Sequence, residues 1–272
     1  MQNKRTLVDI VICVYNRFDL LQQCIDSIPA AVDGGFEYNL ILVDNGSEKM
    51  TAKSFYHSLD DSNLTVIYNN KNLGFPSASN RGAARKSSPL IFMLNSDVIL
   101  MPGSLNLLVK DMDDPKIAVA GMKLLFPGDV SDRGLNHYIR PSGKVQHVGI
   151  TTNIAGELFH IFSGWDSDHP KVNAVRDVYM VTGATMLIRR SVWTQIGGFF
   201  LGYGLGTYED AELCVSARKM GYNIVVNTDA VALHYVGATA ETYQIAYPIN
   251  SNKVLFLQRN GGALVWDEYK YW

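Results

Sequence analysis

Four times between residues 7 and 112, a short apolar, β-branched run stops at a polar cluster and gives way to helical spacing. That rhythm restricts the chain to a mostly parallel α/β sheet. Residues 8–15 form the first run, and Asn16 is placed to cap a helix in which Phe18, Leu21, Ile25 and Ile28 share a face. Residues 38–43 form the second, ending at Asp44-Asn45-Gly46-Ser47, and residues 64–68 the third, ending at Asn69-Asn70-Lys71-Asn72-Leu73-Gly74. Pro76 suits the first turn of a helix running through Ala83. Residues 90–94 form the fourth run, ending at Asn95-Ser96-Asp97, and Pro102 opens another helix.

Beyond residue 112 the pattern weakens. Residues 126–177 read as loops and short strands, with 144–150 the best strand among them. Residues 178–189 are strand-like, 191–196 form a short helix stopped by Gly197-Gly198, and 209–220 a helix stopped by Gly221. Further short strands are expected at 224–226 and 230–234, and a helix at 249–259. No linker divides the chain, so one fold with a nucleotide half and an acceptor half is expected.

A net charge of −2 over 272 residues offers no basic excess for a nucleic-acid partner. Cys13, Cys24 and Cys214 lack paired spacing and read as small buried hydrophobes in a reducing compartment. The first residues lack a signal-peptide core, and no run approaches the roughly 20 apolar residues of a membrane span. The expected location is the cytoplasm, with peripheral contact at the inner face of the membrane left open.

Strand ends are where open α/β sheets bind ligands. The loop Val14-Tyr15-Asn16-Arg17 is placed to meet a nucleotide base, and Asp44 to accept from a base N–H or a ribose hydroxyl. As a lone residue, Asp44 would be a turn former. Asn72, Gly74, Asn80 and Arg81 flank a helix start suited to a diphosphate, although Gly82 and Ala83 are equally explained by helix–sheet packing. Asp97 follows an apolar strand and is a candidate ligand for Mg2+ or Mn2+. Glu209 and Asp210 follow the glycine-rich residues 202–206, and Thr207 with Asp210 would also make something close to a capping box. His234 ends an apolar run and gains meaning only beside Asp97. His137, His147, His160 and His169 lack metal-type spacing and are expected in loops or on the surface. Trp165, Trp193, Tyr203 and Tyr208 are candidates to stack on sugar rings, Trp193 being better explained as core.

The ordered set resembles the family 2 glycosyltransferases, of the GT-A nucleotide-diphospho-sugar transferase fold, and within them the bacterial rhamnosyltransferase-like branch. The pieces are residues 12–17, 43–47, 72–75 with 80–82, 94–97, 183–190, 196–199, 208–214 and His234. The resemblance implies an α/β GT-A domain in which residues 1–112 hold the nucleotide sugar and 113–272 the acceptor and catalytic groups. It implies contacts to a UDP- or dTDP-linked donor from Val14, Tyr15, Asn16, Arg17, Asp44, Asn72, Gly74, Asn80, Arg81, Asn95 and Ser96. Mn2+ or Mg2+ on Asp97 and His234, with Asp210 as base beside Glu209, completes the implied inverting site. The implied acceptor is a glycan, a lipid-linked glycan or a protein. Asn95 departs from the family's acidic first position, which bears on metal affinity more than on reaction class. Two other readings compete: a GT-A-like carbohydrate-binding protein without activity, and a sugar nucleotidyltransferase. The second is disfavoured by the absence of a glycine-rich basic loop after the first strand.

Overall fold

The computed structural model describes residues 7–59, 62–128 and 141–271. His137 lies outside them. The predicted alternation is present: β1 (Leu7–Val14), α1 (Phe18–Val32), β2 (Glu37–Asp44), α2 (Lys49–Ser58), β3 (Leu64–Tyr68), α3 (Phe75–Ala83), β4 (Leu90–Asn95), β5 (Val98–Leu100) and α4 (Ser104–Asp111). The second half adds β6 (Ile117–Pro127), β7 (Pro141–His147), β8 (Ile150–Thr152), β9 (Leu158–His160), α5 (Pro170–Asn173), β10 (Thr185–Arg189) and α6 (Arg190–Ile196). It ends with α7 (Glu209–Lys219), β11 (Asn223–His234), α8 (Ala238–Tyr243) and α9 (Ile249–Asn260).

One sheet unites both halves in the order β3-β2-β1-β4-β10-β6-β11-β5, with β7 paired to β6. β3, β2, β1 and β4 run parallel, and β10 enters antiparallel between β4 and β6. Alternation along β1 explains the two core layers. Ile10, Ile12 and Val14 pack with α1 and α4, while Val11 joins the layer beneath α3, α6 and α7. Gly82 is required there, because a Cβ would overlap the Val11 side chain. The fully buried Asp9 is held by Arg190 (2.6 Å), Asn39 (2.7 Å) and both the hydroxyl and N–H of Ser88.

Several expectations are corrected. Residues 117–127 form a central strand that the sequence pattern did not reveal. Residues 223–234 form one strand, interrupted by a bulge between Asn227 and Val231, rather than two. Residues 178–184 precede β10 instead of belonging to it. Asn16 does not cap α1: its Oδ1 accepts from the Glu48 N–H at 2.9 Å, binding the first strand end to the second. Thr207 and Asp210 form no capping box, since Tyr208 stands before α7 without a side-chain cap. Among the described residues, no helix is long and apolar enough to cross a membrane.

Candidate active site

The strand ends of β1, β2 and β3 are stitched together by loop amides. The Asn45 N–H donates to Val14 O (2.7 Å), and the Asn69 N–H to Asp44 O (2.8 Å). Asn45 then acts as a hub: its Nδ2 donates to Asn72 Oδ1 at 2.9 Å, and its Oδ1 accepts from Asn69 Nδ2 and the Leu73 N–H. These contacts shape one wall of a cleft of about 220 Å3. Cys13, Tyr15, Asn95, Ser96, Asp97 and His234 line it together with Phe75, Leu205, Ile245 and Tyr247.

Asp97 and His234 meet because β5 pairs antiparallel with β11, setting His234 opposite Val98. The Tyr235 N–H closes the pairing on Asp97 O at 3.0 Å. His234 Nε2 lies 3.4 Å from Asp97 Oδ1, and both side chains are about 10% exposed. A carboxylate oxygen suits Mn2+ or Mg2+, and the added imidazole nitrogen favours the transition metal, so the residues fit an implied Mn2+ better than Mg2+. Among the described residues, no group of three or more His, Cys, Asp and Glu forms a fuller cage. Water and substrate oxygens would have to complete the coordination.

Asp210 sits in the first turn of α7. Its Oδ2 accepts from the Gly183 N–H at 2.9 Å and its Oδ1 from the Ala211 N–H at 2.7 Å. Burial raises its pKa, against the lowering effect of these hydrogen bonds. Glu209 is 6% exposed, and its Oε2 has no partner. Burial, and then the Asp210 charge, push Glu209 up to about 8, which favours its protonated form. The backbone before the pair is unusual: Thr207 and Tyr208 have φ of 79° and 74°. Asn252 of α9 secures this stretch, its Nδ2 donating to Gly206 O (2.7 Å), Tyr203 O and Thr207 Oγ1.

The remaining candidates hold varied positions. Asp44 faces an adjoining hollow of about 390 Å3, and its carboxylate accepts from the Gly46 and Ser47 N–H groups and from Tyr56 Oη. Val14 is fully buried and offers the region only its backbone. Arg17 pairs with Asp19 and donates to Ala238 O and Thr242 Oγ1, fastening the segment after His234. Tyr15 meets Tyr243 of the same segment edge-on, with ring centroids 5.6 Å apart. Asn80 bonds both backbone groups of Phe199, and Arg81 is exposed on α3, so neither lines the cleft. Gly74 underlies the cleft wall as a backbone requirement: at φ 84° and ψ 159° it abuts Gly204, where a Cβ would overlap the Gly204 carbonyl oxygen.

The expected aromatic platform is displaced. Tyr203 is fully buried and bonds Glu212, Trp193 is core, Trp165 packs on Phe162 and Tyr208 on Phe256. Tyr15, Phe75 and Tyr247 supply the cleft's rings instead. Tyr247, Thr239 and Ile245 come from a segment with no recognisable motif. His147 and His160 also differ from expectation: fully buried His147 meets half-buried His160, Nδ1 to Nδ1 at 2.7 Å. His147 Nε2 accepts from the Gly149 N–H, so its Nδ1 carries the proton donated to His160. Burial first, and then neighbouring imidazoles, pull His147 well below its usual value and His160 to about 4.

A family model for glycosyl transferase family 2 matches residues 9–193. The chain belongs to this family. It is 25% identical over 240 residues to the O-antigen biosynthesis protein RfbC of Myxococcus xanthus, covering 85% of this chain and 17% of that protein. It is 24% identical over 241 residues to the uncharacterized protein y4gI of Sinorhizobium fredii, covering 86% and 25%. This glycosyltransferase domain thus spans a quarter or less of these relatives. Among solved structures it superposes on GalNAc-T7 with UDP, GalNAc and Mn2+, at TM-score 0.74 and 17% identity, covering 99% of this chain and 50% of that one. The fold is GT-A.

Proposed function

We propose that this domain transfers a sugar, with inversion, from a UDP- or dTDP-linked donor to a hydroxyl of a glycan. The observation that carries the reading is the convergence of Asp97 and His234 in a cleft at the carboxyl ends of β1 and β4. The nucleotide sugars and Mn2+ named with the structural relatives support it. In this reading Asp97 and His234 hold the divalent cation, which when bound supplies positive charge for the leaving diphosphate. Tyr15, Asn72, Asn95 and Ser96 line the donor's path, with Asp44 towards the base. Residues 1–112 serve the donor and 113–272 the acceptor.

Asp210 is assigned as the base. It takes the proton of the acceptor hydroxyl as that oxygen bonds to the anomeric carbon and the bond to the diphosphate oxygen breaks. Its raised pKa makes it a better proton acceptor than an exposed carboxylate, and the Gly183 and Ala211 N–H groups fix its orientation. Replacement by Asn should reduce turnover about 10²–10⁴-fold while nucleotide binding persists. Intact transfer by Asp210→Asn would refute the assignment. A parent protein that binds nucleotide but neither transfers nor hydrolyses any donor would be a binding module instead.

A further inference from the structure

Behind His234, on the side away from Asp97, lies a polar side chain with no role in the reading above. Gln146, on β7, is 5% exposed, and its Oε1 lies 3.3 Å from His234 Nδ1. β7 belongs to the stretch that the sequence pattern left as loops and short strands, and Gln146 carries no motif. A buried amide oxygen can only accept, so this contact requires the proton of a neutral His234 to sit on Nδ1. The lone pair is then left on Nε2, the nitrogen that faces Asp97.

We propose that Gln146 is a positioning residue: it selects the Nδ1–H form of His234 and aims Nε2 at the metal position. The inference rests on His234 being a ligand. Its physical basis is that an imidazole ligand is oriented, and made more basic, by an acceptor on its other ring nitrogen. Burial makes the contact effective, because in a low-dielectric setting no water competes for the Nδ1 proton. The strand carrying Gln146 is itself well held. β7 pairs with β6 at His147 opposite Leu124, and the next ring, His147, is locked by the Gly149 N–H and His160. Gln146 therefore presents its amide from a fixed backbone.

The test compares Mn2+ affinity in the presence of UDP for the parent, Gln146→Met, Gln146→Glu and His234→Ala, alongside melting temperature. His234→Ala addresses the underlying reading: if it binds Mn2+ like the parent, His234 is not a ligand. Given a loss there, Gln146→Met is expected to weaken Mn2+ binding about 10–100-fold with little change in melting temperature. Gln146→Glu keeps an acceptor and should return affinity close to the parent's. Parent-like affinity in Gln146→Met, or equal weakening in both Gln146 variants, would overturn the inference. Nitrogen-15 NMR of the metal-free parent tests it without any variant at position 146, the His234 signals being assigned by their loss in His234→Ala. The Nδ1–H tautomer is expected, and an Nε2–H tautomer would overturn it.

Discussion

Glu209 sets up an unusual dependence of stability on pH. Its carboxyl is buried, has an unpartnered Oε2 and lies beside Asp210, so it resists ionisation in the folded chain and ionises freely when unfolded. Its pKa rises from 4.5 to about 8 on folding. Its contribution is therefore fully present below pH 4.5 and is lost as pH rises towards 8, because in that interval only the folded state retains the proton. At 1.36 kcal/mol for each pH unit, that interval comes to about 5 kcal/mol at its full extent. Replacing Glu209 with Gln removes the titration and keeps the shape. Any cost from the new amide is constant with pH, so the informative quantity is the change in the stability difference between variant and parent. Urea denaturation at about pH 5 and about pH 8 should show the variant gaining on the parent by several kcal/mol as pH rises. A stability difference that stays flat across this range would refute the argument.

Two other substitutions test the frame around the cleft. Gly74→Ala places a Cβ against the Gly204 carbonyl in a backbone conformation open essentially to glycine alone, a strain of about 1–3 kcal/mol before the overlap is counted; unchanged denaturant stability would contradict the close approach. Arg190→Met strips the fully buried Asp9 of its charge partner and should cost about 3–5 kcal/mol, while adding Asp9→Asn should recover part of it. A double variant no better than the single one would place the loss in Arg190's bonds to Ala83 O and Ser88 O instead.

The first half, up to residue 112, was legible because buried parallel strands write themselves as continuous apolar runs, and their ends as Asp and Asn clusters. The second half hides its strands for identifiable reasons. β6 carries small residues, Ala118, Ala120 and Gly121, the last because Val181 packs where a Gly121 Cβ would stand. It also buries Lys123, whose ammonium is satisfied by Asn173 Oδ1 at 2.7 Å and Ser167 O, a polar residue that breaks any apolar pattern. Asn16 and Thr207 have the chemistry of helix caps, yet each spends its side chain on a distant segment, Asn16 on the Glu48 N–H before α2 and Thr207 on Asn252 of α9. Local sequence cannot separate these uses. Asp97 and His234 lie 137 positions apart and become neighbours only through the β5–β11 register. Their pairing was suggested by their places at two strand ends and by the family resemblance, whereas Gln146 and Tyr247, which carry no motif, emerged only from the fold. Arg81 and Asn80 illustrate the opposite error: a basic and an amide side chain at a helix near the cleft, one turned to solvent and the other to Phe199.

The central claim is that Asp97 and His234 hold a cation against the diphosphate of a nucleotide sugar. Thermal unfolding with UDP, dTDP, GDP or CDP, each with and without Mn2+, tests it most directly. One nucleotide should stabilise the parent by about 2.7 kcal/mol at a hundredfold excess over its dissociation constant, only when Mn2+ is present. Asp97→Ala and His234→Ala should abolish that gain. Stabilisation that needs no metal, or that survives both substitutions, would contradict the account.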